Sequence, residues 1–358
     1  MTKNKLRITA LVIMMVLIFS VVFTGCGAPA EKTTEQTTAI EAQSSTTQAA
    51  ASESTQKKYK IGFAAYMMSQ EWYQSIANGA KARADELGIE LIVVDSNNDS
   101  NTQVSALENF IAQGVDAIIV SPVDSKSLNV VVKQATDAGI KVISESNYLD
   151  GAVTMVGQTD KESGKKMGQW YAEYAKANKI DPKILILGYQ SLENCRNRVE
   201  GFKEALTEAN VNFEVKTEVD GGFREASMKA ATDAFTANPD INAVFGINDD
   251  STLGAVSAIK AAKLDESKIT AMIFGLEGVA GRSALKEGGI YSAGLSMFPE
   301  FVGVACVDAA NDALNGEEVP EHYVSPTAVI PSAEFDKYFI KNGEKYDLNF
   351  DAVRDLMN

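Results

Sequence analysis

Amides, guanidinium groups, carboxylates and aromatic rings recur together at a few points along this chain. The segment "MSQEWYQS" (68–75) holds Gln70, Trp72 and Tyr73 beside Glu71. Ser146 and Asn147 close the run "IKVISESN". Tyr189 and Gln190 follow "KILILG", with Arg196 and Arg198 shortly after them. Phe223 follows "EVDGG", Asn248 leads Asp249 and Asp250 in "GINDD", and Glu277 stands in "FGLEG". Such a set suits a small neutral polyhydroxy molecule. Aromatic rings cover the apolar C–H faces of a sugar, while bidentate amides, guanidinium groups and carboxylates fix its hydroxyls. A hydrogen bond to a charged group is worth roughly 1.5–3 kcal/mol, so a few can set specificity.

Each residue also has a plainer reading. Trp72 and Tyr73 could be ordinary core aromatics. Arg196 and Arg198 could line a solvated helix face. Asn248, Asp249 and Asp250 could cap the next helix or neutralise its dipole, since Asn and Asp are favoured caps. Glu277 could be a surface acid. The single histidine, His322, gives no metal site and reads as an incidental surface residue.

What gathers the polar residues is their place in the element pattern. From Tyr59 onward, apolar runs alternate with amphipathic stretches. "KIGFAAYM", "IELIVVDS", "DAIIVSP", "IKVISES" and "VTMVG" read as strands, with helices to Leu87, over 101–114 and over Ser125–Ala138. After Asp160 the rhythm restarts with "KILILGY", "NFEVKTEV", "INAVFGI" and "ITAMIFGL". Nearly continuous apolar strands are expected when helices cover both faces of a parallel sheet. Gly88, Gly114 and Gly139 each stand where a helix must stop before a strand. The fold class is therefore α/β: two doubly wound parallel-sheet lobes, which place ligands at the carboxyl ends of strands. The candidate residues stand at those ends.

Composition limits the alternatives. The chain has 358 residues and is 45% hydrophobic, enough for two domains with sizeable cores. A formal charge of −15 argues against nucleic acid, which is held by Lys and Arg, and against docking on anionic lipid through basic patches. No CxxC or Cys/His spacing suggests a metal, and no cofactor motif is convincing. "GLEGVAG" is GxxGxxG rather than a dinucleotide loop, and no Walker-type loop occurs. Cys195 and Cys306 read as free, partly buried thiols rather than a disulfide framework.

The N-terminus reads as a separate device. Lys3, Lys5 and Arg7 precede an apolar run from Ile8 to Phe23 that is short for a spanning helix, which needs about 20 residues. It ends in "FTGCG", which resembles the lipobox of bacterial lipoproteins. That resemblance implies a signal peptide over 1–25, cleavage before Cys26 and a lipid on the Cys26 sulfur. An uncleaved membrane anchor is the alternative. Cleavage would remove Lys3, Lys5 and Arg7 and leave the mature chain at −18. Residues 26–57, rich in Ala, Thr, Ser, Gln and Glu, then read as a disordered tether. The body would be held at the outer face of the bacterial cytoplasmic membrane.

"QEWYQSIANGA", "IIVSPVDS", "RVEGF" and "AVFGINDDSTLGA", in this order, resemble the sugar-binding solute receptors of bacterial ABC transporters, of the ribose-binding type. The resemblance covers most of 59–330. It implies a type I periplasmic binding protein whose two lobes, joined by hinge strands, close over one small ligand. Lobe one would be 58–160 plus 298–325, and lobe two 161–297 plus 326–358. It implies ligand contacts at Gln70, Trp72, Tyr73, Arg198, Phe223 and Asn248. It also marks departures: Ser146-Asn147 replaces a charged Asp-Arg pair, Glu277 replaces an Asp, and Met297 replaces a Gln before "FP". Those positions should reshape the pocket away from ribose itself.

The resulting expectation is a monomeric solute-binding lipoprotein, not an enzyme, that delivers a sugar or polyol to an ABC permease with its ATPase. A receptor for a chemosensor or sensor kinase is the alternative. A carbohydrate-active enzyme is disfavoured by the lone histidine and by the absence of a telling carboxylate spacing. A ligand-sensing regulator would need a basic helix-turn-helix where the leader and acidic tether stand.

Overall fold

The computed structural model describes residues 58–357. The expected leader, Cys26 and the tether lie outside the described residues.

Two six-stranded sheets organise the body. The strands are β1 Lys60–Ala65, β2 Glu90–Asp95, β3 Ala117–Val120, β4 Lys141–Glu145, β5 Thr154–Gly157, β6 Lys183–Gly188, β7 Glu214–Asp220, β8 Ala243–Gly246, β9 Thr270–Gly275, β10 Tyr291–Ser296, β11 His322–Val324 and β12 Ala328–Pro331. The first sheet runs β11-β5-β4-β3-β1-β2 and the second β12-β10-β9-β8-β6-β7. Every pairing is parallel except β10 with β12. Central strands β3, β8 and β9 are buried at every position, whereas the edge strands β2 and β7 have no fully buried position. This is why the central runs read as unbroken apolar stretches.

Helices α1 Glu71–Leu87, α2 Ser100–Ala112, α3 Ser125–Asp137, α4 Asp160–Asn178, α5 Glu193–Glu208, α6 Arg224–Ala237, α7 Asp249–Ala261, α8 Val279–Glu287 and α9 Pro299–Asn315 cover the sheets. Gly88, Gly114 and Gly139 all take left-handed backbone at helix ends, as expected.

Sequence patterning alone missed β10, β11 and β12. They take part in two of the three passages between the sheets: the chain passes from β5 into α4, from β10 into α9, and from β11 into β12. Thus α9 packs on α1 beside the first sheet, and α4 packs on α5 beside the second. His322 is correspondingly not an incidental surface residue. It begins β11, pairs in register with Met155, and its Nε2 lies 3.3 Å from the Gly157 carbonyl.

Both helix pairs are seated by reciprocal glycines. A Cβ on Gly79 would lie 2.0 Å from the Glu300 carbonyl oxygen, and one on Gly303 equally close to that of Ile76. In the other pair, Gly201 faces the Lys161 carbonyl at 2.0 Å and Gly164 that of Arg198 at 2.1 Å. The glycines of "IANGA" and "RVEGF" are therefore backbone-contact positions.

The tail folds too. Phe335–Tyr338 forms α10, Phe339–Asn342 and Lys345–Leu348 form the hairpin β13–β14, and Phe350–Arg354 forms α11. Phe335, Phe339 and Val353 are buried. Arg282 of α8 donates to the Tyr346 carbonyl and lies 4.7 Å from the Phe339 ring centroid, which fastens the tail to the second sheet's side. Cys195 and Cys306 are both free and both buried.

Candidate functional site

The carboxyl ends of the two sheets face each other, and most of the expected residues meet there. At the β1 end, Tyr66 and Tyr73 stack with centroids 5.1 Å apart and planes 12° from parallel. At the β6 end, Tyr189 meets Phe223 edge-on at 6.3 Å. The two pairs approach one another: burial first, then the proximity of Tyr189, raises the Tyr66 hydroxyl above its ordinary value. The Tyr73 hydroxyl is pushed well up, mainly by burial and then by Glu145, Tyr66 and Glu277, with Arg198 opposing. Residues from both sheets therefore surround one phenol.

Tyr73 stacks on Tyr66, while Trp72 is 8% exposed and belongs to the apolar core. Its neighbour across the cleft floor is Glu145, a buried acid whose carboxyl is raised by burial and partly relieved by hydrogen bonds from Ser146 and Trp72. Sequence reading did not single out Glu145, because it is the last residue of β4 and reads as part of the strand rather than of its rim.

Arg198 is buried between two partners from distant elements. Its Nε donates to Asp160 at 2.7 Å and its Nη1 to the Ile247 carbonyl at 2.9 Å. Its carbon Cζ stands 5.1 Å from the Phe274 ring centroid. Only part of the fork is left for a ligand. Asp160, which fixes it, carried no signal in the sequence beyond its place at the start of a helix. Arg196 instead reaches back to the Gln190 carbonyl at 2.6 Å and stabilises its own loop.

Asn248 caps α7. Its Oδ1 accepts from the Ser251 N–H and hydroxyl, and its Nδ2 donates to the Gly222 carbonyl at 2.9 Å. One N–H remains. Asp250 is taken up by Arg224 at 2.8 Å. Asp249 is 5% exposed and accepts from the backbone N–H groups of Leu276 (2.8 Å) and Glu277 (2.9 Å). It thereby pins the turn that presents Glu277.

That turn is strained. Leu276 has φ 49°, Ser146 at the β4 end has φ 61°, and Phe298 at the second crossing has φ 48°. Left-handed backbone in non-glycine residues persists only where surroundings impose it, and it concentrates at functional sites. Ser146 also bonds the Glu145 carboxylate, whereas Asn147 is exposed. Gln70 precedes α1 and makes no side-chain cap. Met297, 1% exposed, accepts a hydrogen bond at Sδ from Gln158 at 3.1 Å.

Contacts cross between the lobes. The Ser75 hydroxyl donates to the Glu277 carbonyl at 2.9 Å, and Arg282 pairs with Glu300 at 2.7 Å. The Glu71 carboxylate lies against Gly278, where an added Cβ would stand 2.1 Å from Oε2. Among the described residues no helix is long and apolar enough to cross a membrane, and no group of His, Cys, Asp and Glu could hold a metal.

Two α/β lobes of equivalent strand order, linked by three crossings and facing through their strand ends, define a two-lobed ligand receptor. The chain belongs to the periplasmic binding protein domain family, whose model matches residues 61–318. It is similar to the ribose import binding protein RbsB of Bacillus subtilis, at 28% identity over 273 residues, covering 75% of this chain and 86% of that one. A periplasmic solute binding protein of an ABC transporter from Actinobacillus succinogenes, solved with bound D-allose, superposes with a TM-score of 0.72 at 25% identity, over 78% of this chain and all of that one. One from Bacillus halodurans, solved with bound myo-inositol, gives 0.67 at 28% identity, over 78% and 96%.

Proposed function

We propose that this chain captures a sugar or polyol between its lobes and hands it to the permease of an ABC importer. One relative is named for ribose import, and two similar solute binding proteins were solved with D-allose and with myo-inositol bound. The observation that carries the reading is that strand ends of both sheets meet at one cleft: Tyr66 stacks on Tyr73, Ser75 of the same helix donates to the Glu277 carbonyl, and Arg198 is held against the Ile247 carbonyl beside Asn248, with Glu145 near Tyr73. Rings there cover a carbohydrate face, and the acids with the remaining N–H groups of Arg198 and Asn248 take its hydroxyls. Gln70, Trp72, Ser146, Asn147, Phe223 and Met297 complete the ligand-binding set.

The lobes, 58–160 with 298–325 and 161–297 with 326–358, close by rotation about the three crossings. The closed form is what the permease recognises. No bond of the ligand is made or broken. A lipid on Cys26 holds the monomeric body at the outer face of the cytoplasmic membrane.

The test is calorimetric and thermal-shift titration of the full chain in detergent against D-ribose, D-allose, myo-inositol and further sugars and polyols. Saturable binding of one compound, recovered unchanged, is the expected result. No binding by any of them, or turnover of one, would sink the reading.

A further inference from the structure

We propose that Gln158 is a specificity-determining residue of the cleft, offering its side-chain amide to a ligand hydroxyl at the hinge. The inference rests on the sugar-receptor reading above and assigns a ligand group to a residue outside the set named there.

Gln158 is the first residue after β5, where the chain leaves the first sheet for the second. Gly157 before it packs on Ser146: a Cβ there would lie 3.2 Å from the Ser146 Cα. The Gln158 side chain reaches Met297, which follows β10 and whose N–H donates to the Gly275 carbonyl at 3.1 Å. The amide therefore lies where the ends of β4, β5, β9 and β10 converge. This is the floor between Ser146 on one lobe and Glu277 on the other.

Its chemistry is unspent. Gln158 is 8% exposed, and its Oε1 is buried with no hydrogen-bond partner in the protein. Its Nε2 has only the Met297 thioether, a weak acceptor. Turning the amide by half a rotation would set its oxygen against a thioether that has no proton to give and leave the NH2 unpartnered, so the deficit persists in either orientation. Buried polar groups in folded proteins nearly always have partners, so an amide with two unused valences at a ligand cleft points to an outside partner. A sugar hydroxyl both donates and accepts, and so satisfies either end. A thioether beside the amide adds packing without competing for that hydroxyl.

The experiment compares full-length wild type with Gln158→Leu, titrated with D-ribose, D-allose and myo-inositol, and measures the unfolding midpoint of each protein without ligand. The expected result is at least a tenfold loss of affinity for the compound wild type binds, with an unliganded midpoint equal to or above wild type. Removing an orphaned buried amide relieves the ligand-free protein. Unchanged affinity with a lowered midpoint would overturn the proposal, because the amide would then serve the fold alone. A crystal structure of sugar-bound wild type provides a check that does not depend on the variant folding. A ligand oxygen within hydrogen-bonding distance of the Gln158 amide is expected, and its absence overturns the assignment. If wild type binds none of the sugars or polyols, the receptor reading itself fails and this inference fails with it. Binding by wild type that Gln158→Leu leaves intact removes only the inference.

Discussion

Arg282 and Glu300 form a buried ion pair between the lobes, with N–O distances of 2.7 and 2.8 Å and side chains 5% and 17% exposed. Arg282 stands on α8 beside the second sheet, and Glu300 is the second residue of α9, immediately past a crossing. A pair so near the pivot can persist while the outer parts of the cleft open. Breaking a buried pair from one side strands a charge and costs about 3–5 kcal/mol. Glu300→Ala should therefore lower the urea midpoint substantially, with Arg282 left to the Leu276 and Tyr346 carbonyls. A midpoint unchanged from wild type would show that those carbonyls suffice.

The aromatic residues of the cleft divide by burial. Phe223 is 48% exposed at the start of α6, touching Tyr189 edge-on. Phe223→Ala should weaken sugar binding about tenfold, or about 1.4 kcal/mol, with the melting temperature unchanged. Trp72 lies in the core, and Trp72→Ala should also destabilise, by about 3–5 kcal/mol. Calorimetry paired with thermal unfolding separates the two behaviours.

Arg198 is a structural member as well as a candidate ligand contact. Arg198→Ala would leave Asp160, its side chain 15% exposed, without its cation. The expected cost is about 3–5 kcal/mol of stability in addition to lost affinity. Asp160→Asn keeps an oxygen that accepts from Arg198 Nε but leaves the buried guanidinium without its counter-charge, so it should destabilise as well. Equal midpoints for wild type and Arg198→Ala in urea unfolding would refute the structural role.

Gly201 cannot carry a side chain without separating α4 from α5. Its Cβ would meet the Lys161 carbonyl oxygen at 2.0 Å, a backbone atom that cannot swing aside. Overpacking of this kind costs about 1–3 kcal/mol. Gly201→Ala should show that loss in chemical denaturation, while Gly316→Ala, with open space around it but φ 78°, should show only a backbone penalty.

Asp249 gives a pH signature. Burial, opposed by the N–H groups of Glu277 and Leu276, pushes its carboxyl from an ordinary 3.8 up to about 7. The folded chain then holds a proton that the unfolded chain has released between those values. Stability from this group is greatest at the acid end and falls as pH rises through the window, levelling above it. Glu277, also raised by burial and by Asp249 beside it, acts with the same sign. Urea titrations from about pH 4 to about pH 8 should show a shallower decline for Asp249→Asn than for wild type. Matching slopes would mean that Asp249 ionises normally.

The sequence by itself determined the layered α/β design and pointed to strand ends as the place of the candidate site. Unbroken apolar runs such as "AIIV" and "TAMIFG" require both sheet faces to be covered, and polar residues at their ends then share one rim. It did not reveal β10–β12 as carriers between sheets: β11 and β12 are short strands of mixed burial with no periodicity of their own, and β10, though nearly all buried, reads "YSAGLS", whose small and polar residues make no apolar run. Nor did it show which polar groups were free. Asn248 and Arg198 look equally available in the sequence, yet one is mostly spent on Ser251 and Gly222 and the other on Asp160 and Ile247. Gln158 drew no notice in the sequence, yet its amide is left over. A hydrogen bond depends on distance and direction between groups far apart in the chain, 139 residues for Gln158 and Met297, and only the sheet order and the three crossings set those distances.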